Sequence, residues 1–101
     1  MKKIGLFCVG GLTTTLLVNK MKKIANEKGY PLDISAYPTI EMDVKGKNCD
    51  LIILGPQAAS SLKDVERKYP NKKVMVCDMV AFSQIDAKKI LEQAEALLES
   101  N

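Results

Sequence analysis

The chain contains no histidine, no tryptophan and a single arginine, Arg67. Without an imidazole, Ser-His and Cys-His hydrolytic schemes are excluded within this chain, as is a phosphohistidine intermediate. Any nucleophile must therefore be activated by something else. The few aromatic residues are scattered and build no base-stacking platform. A net charge of +3 is too mild for a nucleic-acid signature, so no nucleic-acid partner is expected. The three cysteines, Cys8, Cys49 and Cys77, are odd in number and form no CxxC pair. That argues against a disulfide scaffold, a redox dithiol and a zinc site, and it fits a reducing compartment. Neither a metal nor a cofactor is expected. The apolar runs fall far short of the roughly 20 residues that span a bilayer. Met1-Lys2-Lys3 resembles the start of a signal peptide, but glycines and threonines soon break the apolar run, and no small-residue cleavage site follows. The expectation is a cytoplasmic protein without membrane insertion.

The 101 residues suit one domain, residues 1–101, and an apolar share of 47% suits a globular core. Lys3 to Phe7 reads as a buried strand. A helix follows from near Leu12 or Thr13 to about Lys28, with Leu17, Met21 and Ile24 on one face, Gly29 as its cap and Pro31 beyond. Leu32 to Tyr37 alternates like an edge strand. Residues 39–48 are ambiguous between a loop and a short helix lined by Ile40 and Val44. Asp50 to Leu54 is nearly all apolar, as a central parallel strand is. Pro56 opens a helix with Ala58, Leu62, Val65 and Tyr69 at helical spacing. Lys73 to Cys77 reads as a fourth strand, and a last helix begins between Ser83 and Asp86. This alternation predicts an α/β fold: a four-stranded parallel sheet, order 2-1-3-4, with helices on both faces. Ligands bind such sheets where the strand order reverses, beyond the strand carboxyl ends. That predicts the Cys8 loop beside Gly55, Pro56 and Gln57, with Asp78 as a further neighbour.

The stretch from Phe7 to Leu17 carries the chemistry. A strand ends in Cys8, two glycines follow, and Thr13, Thr14 and Thr15 open a helix. A helix start leaves about four N–H groups without intrahelical partners and carries roughly half a positive charge. Glycines let the backbone curl so that more N–H groups converge. Residues Val9, Gly10, Gly11, Leu12, Thr13, Thr14 and Thr15 thus predict a cradle for a tetrahedral dianion. The same field stabilises a thiolate on Cys8, by about 0.3–1 kcal/mol at an exposed terminus and up to about 2 when partly buried. Cys49 and Cys77 read more simply as small buried hydrophobes.

A thiol with a phosphate cradle suits hydrolysis or transfer. The tyrosine-phosphatase signature places an arginine after five intervening residues, where this chain has Thr14. No strong candidate acid for the leaving group is evident either. Transfer through a phosphocysteine fits better, because arginine and acid would speed hydrolysis. A small phosphatase and a flavodoxin-like module holding a nucleotide or flavin phosphate remain as alternatives.

The chain resembles the IIB components of bacterial sugar phosphotransferase systems, of the lactose/cellobiose (N,N'-diacetylchitobiose) class. The resemblance spans essentially the whole length. It is carried by Cys8, Gly11, Leu12, Thr13 to Thr15, Leu16 and Leu17, by Asp50 to Gln57, and by the Pro70-Asn71-Lys72 turn. Val9 departs from the family's smaller residue. The resemblance implies a flavodoxin-like, low-molecular-weight-phosphatase-like fold. It implies that Cys8 accepts a phosphoryl group from a phosphohistidine on a IIA protein, and that backbone N–H groups of residues 9 to 15 hold it. The phosphoryl group then passes to a sugar, a beta-linked disaccharide, taken up through the membrane IIC component. A shuttle of this kind is expected to be a monomer.

Overall fold

A computed structural model describes residues 1–9 and 11–100. Four parallel strands, β1 (Lys2–Cys8), β2 (Leu32–Pro38), β3 (Leu51–Leu54) and β4 (Lys73–Val76), form one sheet in the order β2-β1-β3-β4. Cys8 pairs with Pro38 on one side of β1, and Phe7 pairs with Leu54 on the other. β1 is a residue longer at each end than the sequence predicts and the other strands differ by one residue, but the order is the expected one. β3 is buried throughout, as its unbroken apolar run requires, while the edge strand β2 alternates.

The alternation of β1 divides the core. Ile4, Leu6 and Cys8 face α1 (Leu12–Glu27) and α5 (Ala87–Glu99), whose buried stripes include Leu17, Met21, Ile90 and Leu91. Phe7, with Ile52 and Leu54 of β3, faces the opposite layer, which contains α3 (Leu62–Lys68) and its buried Val65. The helices therefore cover both faces. Helix α1 ends as predicted. Gly29 adopts φ +72°, and the N–H groups of Gly29 and Tyr30 donate to the carbonyls of Asn26 and Ala25. This paired pattern satisfies two terminal carbonyls at a conformation only glycine takes freely.

Two segments differ from expectation. Residues 39–48 are helical throughout: two 3-10 turns flank the short α2 (Met42–Lys45). However, Ile40 and Val44 do not line its inner face; both are exposed. The inward contacts come from Met42 and from Gly46, where a Cβ would stand 3.0 Å from the Tyr69 ring. The second difference follows β4, where the sequence predicts no element before the last helix. There Asp78 caps a five-residue helix, α4 (Met79–Ser83), by accepting from Ala81 N–H at 2.9 Å. Asp86 then caps α5, within the predicted window.

Candidate functional site

The strand order reverses between β1 and β3, and the loops after these strands meet there. Gly55 N–H donates to the Phe7 carbonyl at 2.7 Å, which fixes the two loops side by side. Cys8 closes β1 with its side chain in the α1–α5 layer, and the residue is only 1% exposed. Its thiol donates to Gln57 Oε1 at 3.2 Å. A Cβ on residue 55 would lie 2.9 Å from Cys8 Sγ and 3.0 Å from Gln57 Oε1, so this contact needs a glycine between them. Gly55 itself has an ordinary φ of −62°; space is the constraint here, not conformation.

Beyond Cys8 in the chain, α1 begins at Leu12. Gly11 precedes it at φ +119°, where an L side chain is strained. No side chain caps the helix, and its first turn holds no acidic residue. The first-turn N–H groups therefore have no intrahelical partners, and nothing negative opposes the terminal field. Thr15 Oγ1 donates back to the Gly11 carbonyl at 3.4 Å. Thr14 is 3% exposed, and its hydroxyl has no hydrogen-bond partner among the described residues. A buried hydroxyl left unpaired costs about 1–3 kcal/mol, so this one is an invitation to a polar ligand. A groove of about 180 Å³ opens beside it, lined by Gly11, Thr14, Thr15, Ala36, Tyr37 and Pro38. Of the predicted cradle, Gly10 lies outside the described residues, Thr13 is half-buried, and Val9 and Leu12 are exposed.

Cys77 follows β4, and its N–H donates to the Leu54 carbonyl at 2.8 Å. Burial pushes its thiol up from the ordinary 9.0 to about 12, with the negative charge of Asp78 and coupling to Cys8 adding to the effect. Cys49, just before β3 and under Gly5, is likewise raised by burial. Both therefore stay neutral at physiological pH. Between about pH 9 and about 12 the unfolded chain ionises Cys77 while the folded chain does not. The unfolded state then binds fewer protons, so stability should fall as pH rises across that window. Urea titrations at stepped pH should show this decline, and Cys77→Ala should make it shallower.

Asp78 stands beside Cys77, but its carboxylate is committed to the start of α4. Pro56 starts the 3-10 turn Pro56–Ser61, and Ala58 N–H closes it onto the Gly55 carbonyl at 2.9 Å, which aims Gln57. Arg67 lies exposed on α3, paired with Asp64. One feature escaped the sequence reading. The exposed large apolar side chains, Met1 apart, follow the carboxyl ends of strands: Val9, Leu12 and Leu16 after β1, Ile40 and Val44 after β2, Met79 and Val80 after β4. Clustered exposed apolar groups mark an interaction surface, and these follow strands at the end of the sheet that carries Cys8. Among the described residues no helix is long and apolar enough to cross a membrane.

Comparison with known proteins converges on one family. The family model described as "PTS system, Lactose/Cellobiose specific IIB subunit" matches residues 3–93. The oligo-beta-mannoside-specific EIIB component of Bacillus subtilis is 35% identical over 100 residues, covering 97% of each chain. The galactose-specific EIIB component of Lactococcus lactis subsp. cremoris is 34% identical, and the cellobiose-specific one of Lactococcus lactis subsp. lactis 33%, each covering 96% of both chains. The lactose-specific IIB domain of Streptococcus pneumoniae shares the fold, with a TM-score of 0.81 at 20% identity over 95% of this chain and 96% of that one. The cellobiose-specific IIB protein of Borrelia burgdorferi gives 0.73 at 20% identity, covering 95% and 92%. The chain thus belongs to the lactose/cellobiose-specific IIB family of the sugar phosphotransferase system.

Proposed function

We propose that this chain is a cytoplasmic phosphocarrier in which Cys8 takes a phosphoryl group from a phosphohistidine on a IIA protein and passes it to a sugar entering through a membrane IIC component. In the first step the Cys8 S–P bond forms as the donor N–P bond breaks, and the thiol proton ends on the released imidazole nitrogen. In the second the S–P bond breaks as a sugar O–P bond forms, and the hydroxyl proton restores the thiol. The N–H groups of Leu12, Thr13 and Thr14, with the rest of residues 9 to 15, hold the phosphoryl oxygens. The Thr14 hydroxyl gains a partner when they arrive. The observation that carries this reading is the Cys8 thiol, bonded to Gln57 at the end of the strand that leads into the uncapped start of α1.

A carrier must also resist water. The chain's only arginine is paired with Asp64 on α3, so the phosphoryl group meets backbone donors without the clamp that drives hydrolysis. The apolar rim gives donor and acceptor a common docking surface, since both must reach the same buried sulfur. Two of the three named specificities of the relatives, oligo-beta-mannoside and cellobiose, support a beta-linked disaccharide as the sugar, while the third, galactose, does not. Reconstitution tests the whole reading. Phosphorylated IIA, this chain and IIC-containing membranes should together yield sugar phosphate. Equal yield without this chain would refute the carrier role.

A further inference from the structure

We propose that Gln57 is a positioning residue whose carboxamide changes partner with the state of Cys8. This inference deepens the carrier reading and rests on it. In the resting chain Gln57 Oε1 accepts the thiol proton at 3.2 Å. An oxygen held there is the wrong group once the proton leaves, because a thiolate or a phosphoryl oxygen is itself an acceptor. A carboxamide carries both kinds of group on one rotor: half a turn presents Nε2–H where Oε1 stood. The surroundings permit that turn. Gln57 is exposed while the sulfur it touches is buried, and Gly55 leaves the space between them empty of side chain. The backbone beneath is fixed by Pro56 and by the Ala58-to-Gly55 hydrogen bond, so the side chain is the element free to move. Gln57 would therefore accept from the thiol at rest and donate to the phosphoryl group after transfer, without supplying charge that promotes hydrolysis.

Gln57→Glu keeps the shape and the acceptor but removes the donor and adds a negative charge; Gln57→Leu removes both. With IIA charged on histidine, acceptance by Gln57→Glu should fall about 100-fold and by Gln57→Leu about 10-fold, in keeping with the loss of a charge-assisted bond with and without added repulsion. Residue 57 is exposed, so folding of both variants should be unaffected, as thermal unfolding would check. In labelled wild-type protein, one Gln57 Nε2 proton should move downfield on phosphorylation, a response that a purely structural side chain would not give. If wild-type Cys8 is phosphorylated but both variants match its rate, or the Gln57 amide signals stay put, the proposal is overturned while the carrier reading stands. If wild-type protein takes no phosphate, both fall together.

Discussion

A Cys8→Ser chain is expected to fold like the wild type and to carry no phosphoryl group above background. The substitution is small in volume. A serine hydroxyl can keep the hydrogen bond to Gln57 Oε1 that the thiol makes now. The exchange of a buried sulfur for a bonded hydroxyl should therefore cost only about 1 kcal/mol. The effect on transfer is of another order. The nucleophile has to shed its proton, and an alcohol holds its proton far more tightly than a thiol does. The field of one helix terminus, worth at most about 2 kcal/mol, cannot make up that difference. With no histidine anywhere in the chain, no side chain can act in its place as an imidazole base. Thermal unfolding beside a phosphoryl-transfer assay separates the two effects. Wild-type transfer by the serine chain would mean that the acceptor lies elsewhere.

Gly55→Ala should lower transfer about 100-fold, the order expected when a reacting atom is misplaced by about 1 Å. The backbone at residue 55 tolerates any L residue, so the methyl group itself is the perturbation. It would sit 2.9 Å from the sulfur, closer than real contacts allow, and 3.1 Å from Cys8 Cβ, tighter than most. Something must shift. The Phe7 carbonyl is tied to Gly55 N–H and the strands on both sides are packed, so the strain falls on the Cys8 rotamer and on Gln57. Overpacking of this size typically costs about 1–3 kcal/mol of stability. A folded Gly55→Ala chain with impaired transfer is the expected combination. Gly11→Ala, by contrast, meets no neighbouring atom and is opposed only by its φ of +119°, so comparison of the two variants distinguishes crowding of the sulfur from backbone strain.

The parts of the fold that were legible in the sequence are those where one physical signal dominates. The unbroken apolar run Leu51 to Leu54 can only be a strand buried on both faces. Gly29 had to end α1, because the positive φ that closes the helix is costly for other residues. The β-α alternation then fixed the strand order, and with it the meeting of the Cys8 and Gly55 loops. Helix α4 was not legible because its stop signal is missing. Ile85 takes the left-handed position at φ +53°, where glycine or asparagine is the usual cue. In sequence Asp78 looks like a loop group near the site for the same reason: without a visible helix there is nothing for it to cap. For residues 39–48 the sequence leaves loop and short helix open, because the spacing of Ile40 and Val44 implies an inner face only when the helix packs along its length. Here the segment is broken into 3-10 turns around a four-residue α2, and both side chains are exposed. The Cys8–Gln57 contact could be narrowed to neighbouring loops but not to a bond. It depends on a missing Cβ at residue 55, which pattern alone does not reveal.

The central claim is that the phosphoryl group in transit rests on the Cys8 sulfur. Its most direct test is to incubate the chain with a phosphohistidine-bearing IIA protein and to locate the modification by mass spectrometry of the intact chain and its peptides. The account predicts one phosphoryl group, carried on Cys8 alone and absent from Cys8→Ser. A phosphoryl group on Cys77 or Cys49, or none at all, would contradict it.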